Sequence, residues 1–332
     1  MLKTLSFIDL FCGGGFGARG AVSGGGNPLL ALDAWDLAVE TYRANFPEAT
    51  VLHERIENID PFQYSGLFKP DVLLTSPECT SHSIARGSKP GNEKSRETAI
   101  GIFPWIEAFN PRWVIVENVN RMKLWDRHEE LLATLEDYGY TVNQMILNAA
   151  EFGTPQARKR LFMVCDREGS VMTGESLLKA HKQTIQSARS IIDWSGRFKS
   201  TPLYRIGRAK STLERAERAI DSLGRNIPFL IVYYGTDYAG GWQTLDVPLR
   251  TVTTIDRFGL VTWLNDVPML RMLQPSELLK AMGTNETHLL PAGNRRDKVK
   301  LCGNGVCSPV TEMIFREIHR IMESEYPVAV AV

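Results

Sequence analysis

The feature that most constrains this chain is the way LSFIDLF (Leu5–Phe11) breaks straight into CGGG (Cys12–Gly15). A short apolar run followed at once by glycines reads as a buried strand turning sharply into the next element, because glycine adopts backbone conformations that other residues resist. The run NPLLALDAW then reads as a second strand, and DLAVETYRANF carries Leu37, Val39, Tyr42 and Phe46 at helical spacing. DVLLT and RWVIVE are further β-branched runs of strand length, and HEELLATLEDYGY reads as an amphipathic helix stopped by Gly139. Strand and helix thus alternate through the first half. That pattern predicts an α/β fold with a doubly wound, mostly parallel sheet. The alternation fades after RLFMVCDREG, which places a smaller second domain beyond it.

Composition sets the class of the molecule. A chain of 332 residues with 43% hydrophobic content can bury one large core and a smaller one. No apolar run approaches the roughly 20 residues of a membrane helix, and the N-terminus shows no export pattern. Five scattered cysteines without a CxxC pair argue against a disulfide framework or a metal site, so a reducing, cytoplasmic setting is expected. Lys plus Arg and Asp plus Glu balance at 38 each. A polyanionic partner would therefore have to be held by a local basic patch.

Three further segments carry chemistry. Ligands of open α/β sheets bind beyond the carboxyl ends of the strands, where the glycine turn favours a nucleotide-like cofactor. TSPECTSHS (Thr75–Ser83) sets Cys79 on that same rim, in a polar, turn-forming stretch that suits an accessible thiol better than a packed one. VIVENVNRM puts Glu117 and Asn118 directly after a buried run, where a carboxyl of raised pKa can hold a proton. FGTPQARKRLFMV spaces Arg158 and Arg160 two apart, so an extended backbone would send both guanidinium groups to one side. Each segment alone has a plain structural reading, as a tight turn, a buried thiol, a helix-capping acid or a solvated charge cluster.

Taken in this order and spacing, the glycine turn, Pro-(x)-Cys, Glu-Asn-Val and Gln-x-Arg-x-Arg resemble the ordered motifs of the cytosine-C5 DNA methyltransferases. The resemblance continues through PLRTVTT, LRMLQPSELLKAMG and LCGNGV. It implies S-adenosylmethionine as cofactor, double-stranded DNA as partner and no metal, with a monomer the expected form. It also implies a division into a catalytic, cofactor-binding domain (1–166 and 286–332) and a target-recognition domain (167–285). By resemblance Cys79 is the nucleophile toward cytosine C6, Glu117 stabilises the adduct at N3, and Arg158, with Arg160 beside it, orients the base and the acid. The target cytosine would be flipped out of the duplex. Phe11, Gly13, Gly15, Trp35, Asn304 and Val306 match the cofactor motifs. Where the family places an acid directly before the tryptophan, this chain has Ala34 between Asp33 and Trp35, so Asp33 is the candidate, with Asp36 beyond it. On the adenine side Arg55 stands where an aspartate is common, with Glu54 beside it. Glu78, placed between Pro77 and Cys79, is expected to brace its loop.

Between about 167 and 245, basic residues such as Arg197, Lys199, Arg205, Arg208, Lys210, Arg218 and Arg225 outnumber the acids Asp193, Glu214, Glu217 and Asp221. They supply the local basic patch that the neutral total hides. A nicotinamide-dependent oxidoreductase, a tRNA cytosine-C5 methyltransferase and a non-catalytic nucleic-acid-binding relative are the competing readings. The first predicts nicotinamide binding, the second methylation of tRNA, and the third is disfavoured by the joint presence of Cys79 and Glu117.

Overall fold

The computed structural model describes residues 4–77, 98–234, 240–284 and 287–325. Its first half supplies strands β1 (Leu5–Leu10), β2 (Gly26–Asp33), β3 (Thr50–His53), β4 (Val72–Thr75), β5 (Trp113–Asn118) and β6 (Thr141–Asn148). A two-residue β7 (Gln156–Ala157) and β8 (Lys159–Asp166) follow. All but β7 build a seven-stranded sheet in the order β3-β2-β1-β4-β5-β8-β6. β1 to β5 run parallel, and β8 is antiparallel to both its neighbours. The mostly parallel, doubly wound sheet expected from the sequence is therefore present.

Alternation along each strand explains why both sheet faces are covered. Leu5 and Phe7 join Ala31, Trp113 and Ile115 in one apolar cluster, while Ile8 and Leu10 join Leu32, Val114 and Val116 in the other. Successive side chains point to opposite faces, so a sheet buried on both sides needs apolar residues throughout. β5 is buried along its whole length, Glu117 and Asn118 included. Strand order reverses between β1 and β4, whose carboxyl ends lie side by side with Leu10 opposite Thr75. Open α/β sheets bind ligands at such a switch point.

The second half begins on the first layer. Helix Gly174–His181 starts with a capping box from Thr173 and Ser176, and Gly174 rests against Leu147 and Met145 of β6. Only then does a separate antiparallel sheet form from β9 (Thr201–Pro202), β10 (Phe229–Val232), β11 (Trp242–Thr244), β13 (Phe258–Leu264) and β14 (Val267–Met272), in the order β11-β10-β13-β14-β9. The short β12 (Leu249–Arg250) pairs instead with β7, tying the second half to the first. Helix Lys210–Leu223 turns Ala216 and Ala219 onto Phe229, Ile231 and Val261 to make a small core of its own.

Helices Pro275–Ala281, Arg295–Asn304 and Ser308–Glu325 bring the chain back. The last lies so close to helix Phe16–Ser23 that a Cβ at Gly20 would run into the Ser308 carbonyl. Ser308 Oγ donates to the Phe16 carbonyl at 2.7 Å. This packing carries Asn304 to the glycine turn from nearly 300 residues away in the chain. Among the described residues, no helix is long and apolar enough to cross a membrane, and no three His, Cys, Asp or Glu side chains converge to hold a metal ion.

Candidate functional site

The glycine turn is built from left-handed backbone. Phe11 (φ 56°), Gly13 (φ 52°) and Gly15 (φ 78°) all take that conformation, which is costly for Phe11 and free for the glycines. Gly13 faces open space, whereas a Cβ at Gly15 would sit 2.5 Å from the Phe46 ring. The two glycines thus do different work: Gly13 leaves room for a ligand, and Gly15 lets the following helix pack. Asp33, at the end of β2, holds the turn. Its Oδ2 accepts the Gly13 N–H and its Oδ1 the Trp35 N–H, both at 2.8 Å. Burial pushes the Asp33 carboxyl above its ordinary value, and these two bonds pull against that.

Beyond the turn lies a pocket. Phe11 and Gly13 wall it on one side, Leu74 to Ser76 and Glu117 on another, and Asn304 to Val306 close it. Phe11, Gly13, Glu117, Asn304 and Val306, all singled out from the sequence, meet there. Gly15 and Trp35 do not line it: Gly15 lies against Tyr42 and Phe46, and Trp35 is half-buried beside Asp33. Asp9 also lines the cavity and was missed by sequence reasoning, although an acid inside the otherwise apolar LSFIDLF was the available signal. Its Oδ2 has no hydrogen-bond partner among the described residues, and burial, then Asp33, pushes its pKa well above the usual 3.8. Ser76, equally unforeseen, donates to the Phe11 carbonyl at 3.1 Å and locks β4 to the turn.

This donor set fits S-adenosylmethionine. The open space at Gly13 admits a ligand close to the backbone, and the Asp9 carboxyl adds a polar group to the cavity wall. The acid expected beside Trp35 is the point of departure. Both Asp33 oxygens accept backbone N–H groups, and Asp36 Oδ1 accepts the Leu37 N–H at 2.8 Å. Glu54 accepts from the Arg55 N–H and Asn58 Nδ2, and Arg55 pairs with Glu57 at 3.1 Å.

Glu117 ends β5 with only 7% of its surface exposed. Burial raises its pKa, opposed by the charges of Arg160 and Arg158, in that order. Arg160 Nε lies 3.3 Å from Glu117 Oε1, an ion pair without hydrogen-bond alignment, so that oxygen keeps its hydrogen-bonding capacity. Arg158 makes its hydrogen bonds to the backbone, while its charge also acts on Glu117. Its Nη1 donates to the Val252 carbonyl and its Nη2 to those of Gly303 and Gly305, each at 3.0 Å. The physical reason is twofold: the β7–β12 pairing brings the Val252 carbonyl alongside, and the end of helix Arg295–Asn304 brings those of Gly303 and Gly305 to the fork of Arg158. Arg160 is thus the arginine beside the acid. Burial, with Arg160 next, pushes the Arg158 guanidinium down to about 10.

Asn118 Nδ2 donates to the Pro77 carbonyl at 3.2 Å, fixing the last described residue before the segment that carries Glu78 and Cys79. Glu78 and Cys79 themselves lie outside the described residues. In the small sheet's region part of the basic surface is already paired, Arg189 with Asp246 and Arg197 with Asp193. Arg205 and Arg225 stay exposed, and Arg218, also at the surface, donates to the Gly240 carbonyl at 3.1 Å.

Comparison with known proteins agrees with this geometry. The family model for C-5 cytosine-specific DNA methylases matches residues 5–320. The Type II methyltransferase M.HgiDI of Herpetosiphon aurantiacus is 31% identical over 223 residues, which are 67% of this chain and 69% of that protein. M.HpaII of Haemophilus parainfluenzae is 34% identical over 173 residues, 49% of this chain and 46% of that one. The matched segments thus span from about half to about two thirds of these two relatives. In fold, the chain resembles a putative DNA modification methyltransferase encoded within an E. coli prophage (TM-score 0.67, 14% identity, 96% of this chain and 99% of that one). It also resembles the S. pombe Dnmt2 methyltransferase (TM-score 0.65, 16% identity, 98% and 100%). With the glycine turn, the buried Glu117 and the returning Asn304 segment in one cavity and the family model matched almost end to end, the chain belongs to the C-5 cytosine-specific DNA methylase family and is an enzyme of that kind.

Proposed function

We propose that the protein methylates C5 of a flipped-out cytosine in a specific duplex DNA sequence, through a transient bond between the Cys79 sulfur and C6 of the base. The observation that carries this reading is Glu117, a buried acid of raised pKa on the wall of the same cavity that Phe11, Gly13 and Asn304 line. Cytosine C5 is a poor nucleophile. Addition of a thiolate at C6 pushes an electron pair toward C5, and a proton held at N3 stabilises the developing charge. Glu117 in its protonated form can donate at N3, and Arg160 beside it steadies its orientation. After methyl transfer, loss of the C5 proton and departure of the Cys79 thiolate restore the aromatic ring.

S-adenosylmethionine supplies the electrophilic methyl group when bound. Phe11, Gly13, Trp35, Asn304 and Val306 would hold it, with Asp33 and Gly15 shaping the turn beneath. Residues 1–166 with 286–332 form the catalytic part in this reading, and 167–285 the target-recognition part, where exposed arginines such as Arg205 and Arg225 meet phosphates. Extruding the base costs a few kcal/mol, which protein–DNA contacts must supply. The relatives' Type II names favour a role as the protective partner of a restriction enzyme.

Bisulfite mapping of DNA from cells expressing the protein tests the whole reading. Methylation of one short sequence is expected, with none from Cys79→Ser. Unmodified DNA together with 5-methylcytosine in tRNA would refute it.

A further inference from the structure

We propose that Lys300 is a cofactor-positioning residue of this chain, its ammonium group contacting the ribose of the bound nucleoside where Ala34 offers no acid. The inference rests on the cofactor reading above, and specifically on Trp35 as the aromatic of that site. Lys300 belongs to helix Arg295–Asn304, and its Nζ lies 4.2 Å from the centroid of the Trp35 ring. An ammonium at that distance from an indole face is a cation–π contact. Residues four apart share a helix face, so Lys300 is on the same face as Asn304, which lines the cavity. The lysine thus reaches from the cavity's closing helix across to the tryptophan at the end of β2.

The neighbouring acids are already engaged. Asp33 accepts the Gly13 N–H with one oxygen and the Trp35 N–H with the other, and Asp36 accepts the Leu37 N–H. Ala34, between Asp33 and Trp35, has no polar atom in its side chain. Lys300 is therefore the charged group placed over this end of the site. A carboxylate would accept hydrogen bonds from ribose hydroxyls, whereas an ammonium donates to their oxygens, and either fixes the sugar. The flexible lysine stem allows Nζ to serve ring and sugar without moving the backbone.

Calorimetric titration of the apo-protein with S-adenosylhomocysteine tests this directly, since it reads binding and not turnover. Lys300→Ala should raise Kd about three- to tenfold, and Lys300→Arg should stay within about twofold of the parent. Lys300 is exposed, so both variants should melt with the parent. With the 2′-deoxyribose analogue of the ligand the Lys300→Ala penalty should shrink. A penalty of the same size would assign the lysine to the ring alone and overturn the ribose contact. Unchanged or tighter binding by Lys300→Ala would overturn the proposal altogether, tighter binding showing that the lysine shields the ring. Trp35→Ala is the control for the underlying reading: if it binds normally, the adenine site lies elsewhere and both ideas fall, whereas weak binding by Trp35→Ala beside normal binding by Lys300→Ala rejects the lysine's role only.

Discussion

Arg158→Ala separates a structural role from a catalytic one. The guanidinium is 4% exposed and donates to the carbonyls of Val252, Gly303 and Gly305 at 3.0 Å each. Alanine would leave those carbonyls without this donor and open a void the size of the lost side chain. A buried acceptor stripped of its partner costs about 1–3 kcal/mol, and water entering the void relieves part of that. A net loss of about 3–5 kcal/mol follows for the set of three, since neighbouring bonds to one group do not add fully. For a chain of this length that corresponds to a fall in melting temperature of roughly 10 °C. Arg158→Lys should recover only part of the loss, because a single ammonium cannot span three carbonyls in the manner of a planar fork. Differential scanning fluorimetry without ligand measures the shift. A variant that melts within about 2 °C of the parent yet has lost methylation would refute the clamp and return Arg158 to the base itself.

Four other outcomes are expected. A duplex carrying 5-fluorocytosine at the target should trap the enzyme covalently on a denaturing gel, because fluorine blocks the final loss from C5; trapping by Cys79→Ser would exclude that sulfur as the nucleophile. Glu117→Gln should cut single-turnover methylation by about a hundredfold or more with cofactor Kd near normal, consistent with loss of proton donation in the transition state. The same variant carries a pH signature. Burial lifts the folded-state pKa of Glu117 above 4.5, so the stability from its neutral carboxyl is complete below that value and is lost as pH rises through the raised one. Urea midpoints should therefore shift in favour of Glu117→Gln as pH rises, and a constant difference would show that folding leaves the pKa of this carboxyl unchanged. Asp33→Ala removes two 2.8 Å bonds, one to the turn at Gly13 and one to Trp35, and should weaken S-adenosylhomocysteine binding about tenfold, measured by calorimetry; normal affinity would show that the turn holds its shape unaided.

The alternation of strand and helix and the sharp glycine turn after the first strand were legible in the sequence because they depend on local periodicity and on glycine's conformational freedom, whereas the strand order that creates the switch point came from packing. LSFIDLF followed by CGGG and the paired runs DVLLT and RWVIVE specify buried strands whatever surrounds them, and Glu117 at the end of such a run is buried as its position required. What long side chains reach was decided by the tertiary structure. Arg158 and Arg160 look alike in the sequence, yet one spans carbonyls from residues 252, 303 and 305 and the other sits beside Glu117, since only the β7–β12 pairing and the returning helix set those groups in place. Asp33, the acid expected at the cofactor's sugar, also braces the backbone beneath that site, because the left-handed turn at Gly13 aims an N–H at its carboxylate. Asp9, apolar in context and acidic in kind, became part of the cavity only when Asn304 to Val306 closed over it. Local patterning fixes which face of an element is buried; the partners of a charged group at the site come from segments hundreds of residues away, and only packing selects them.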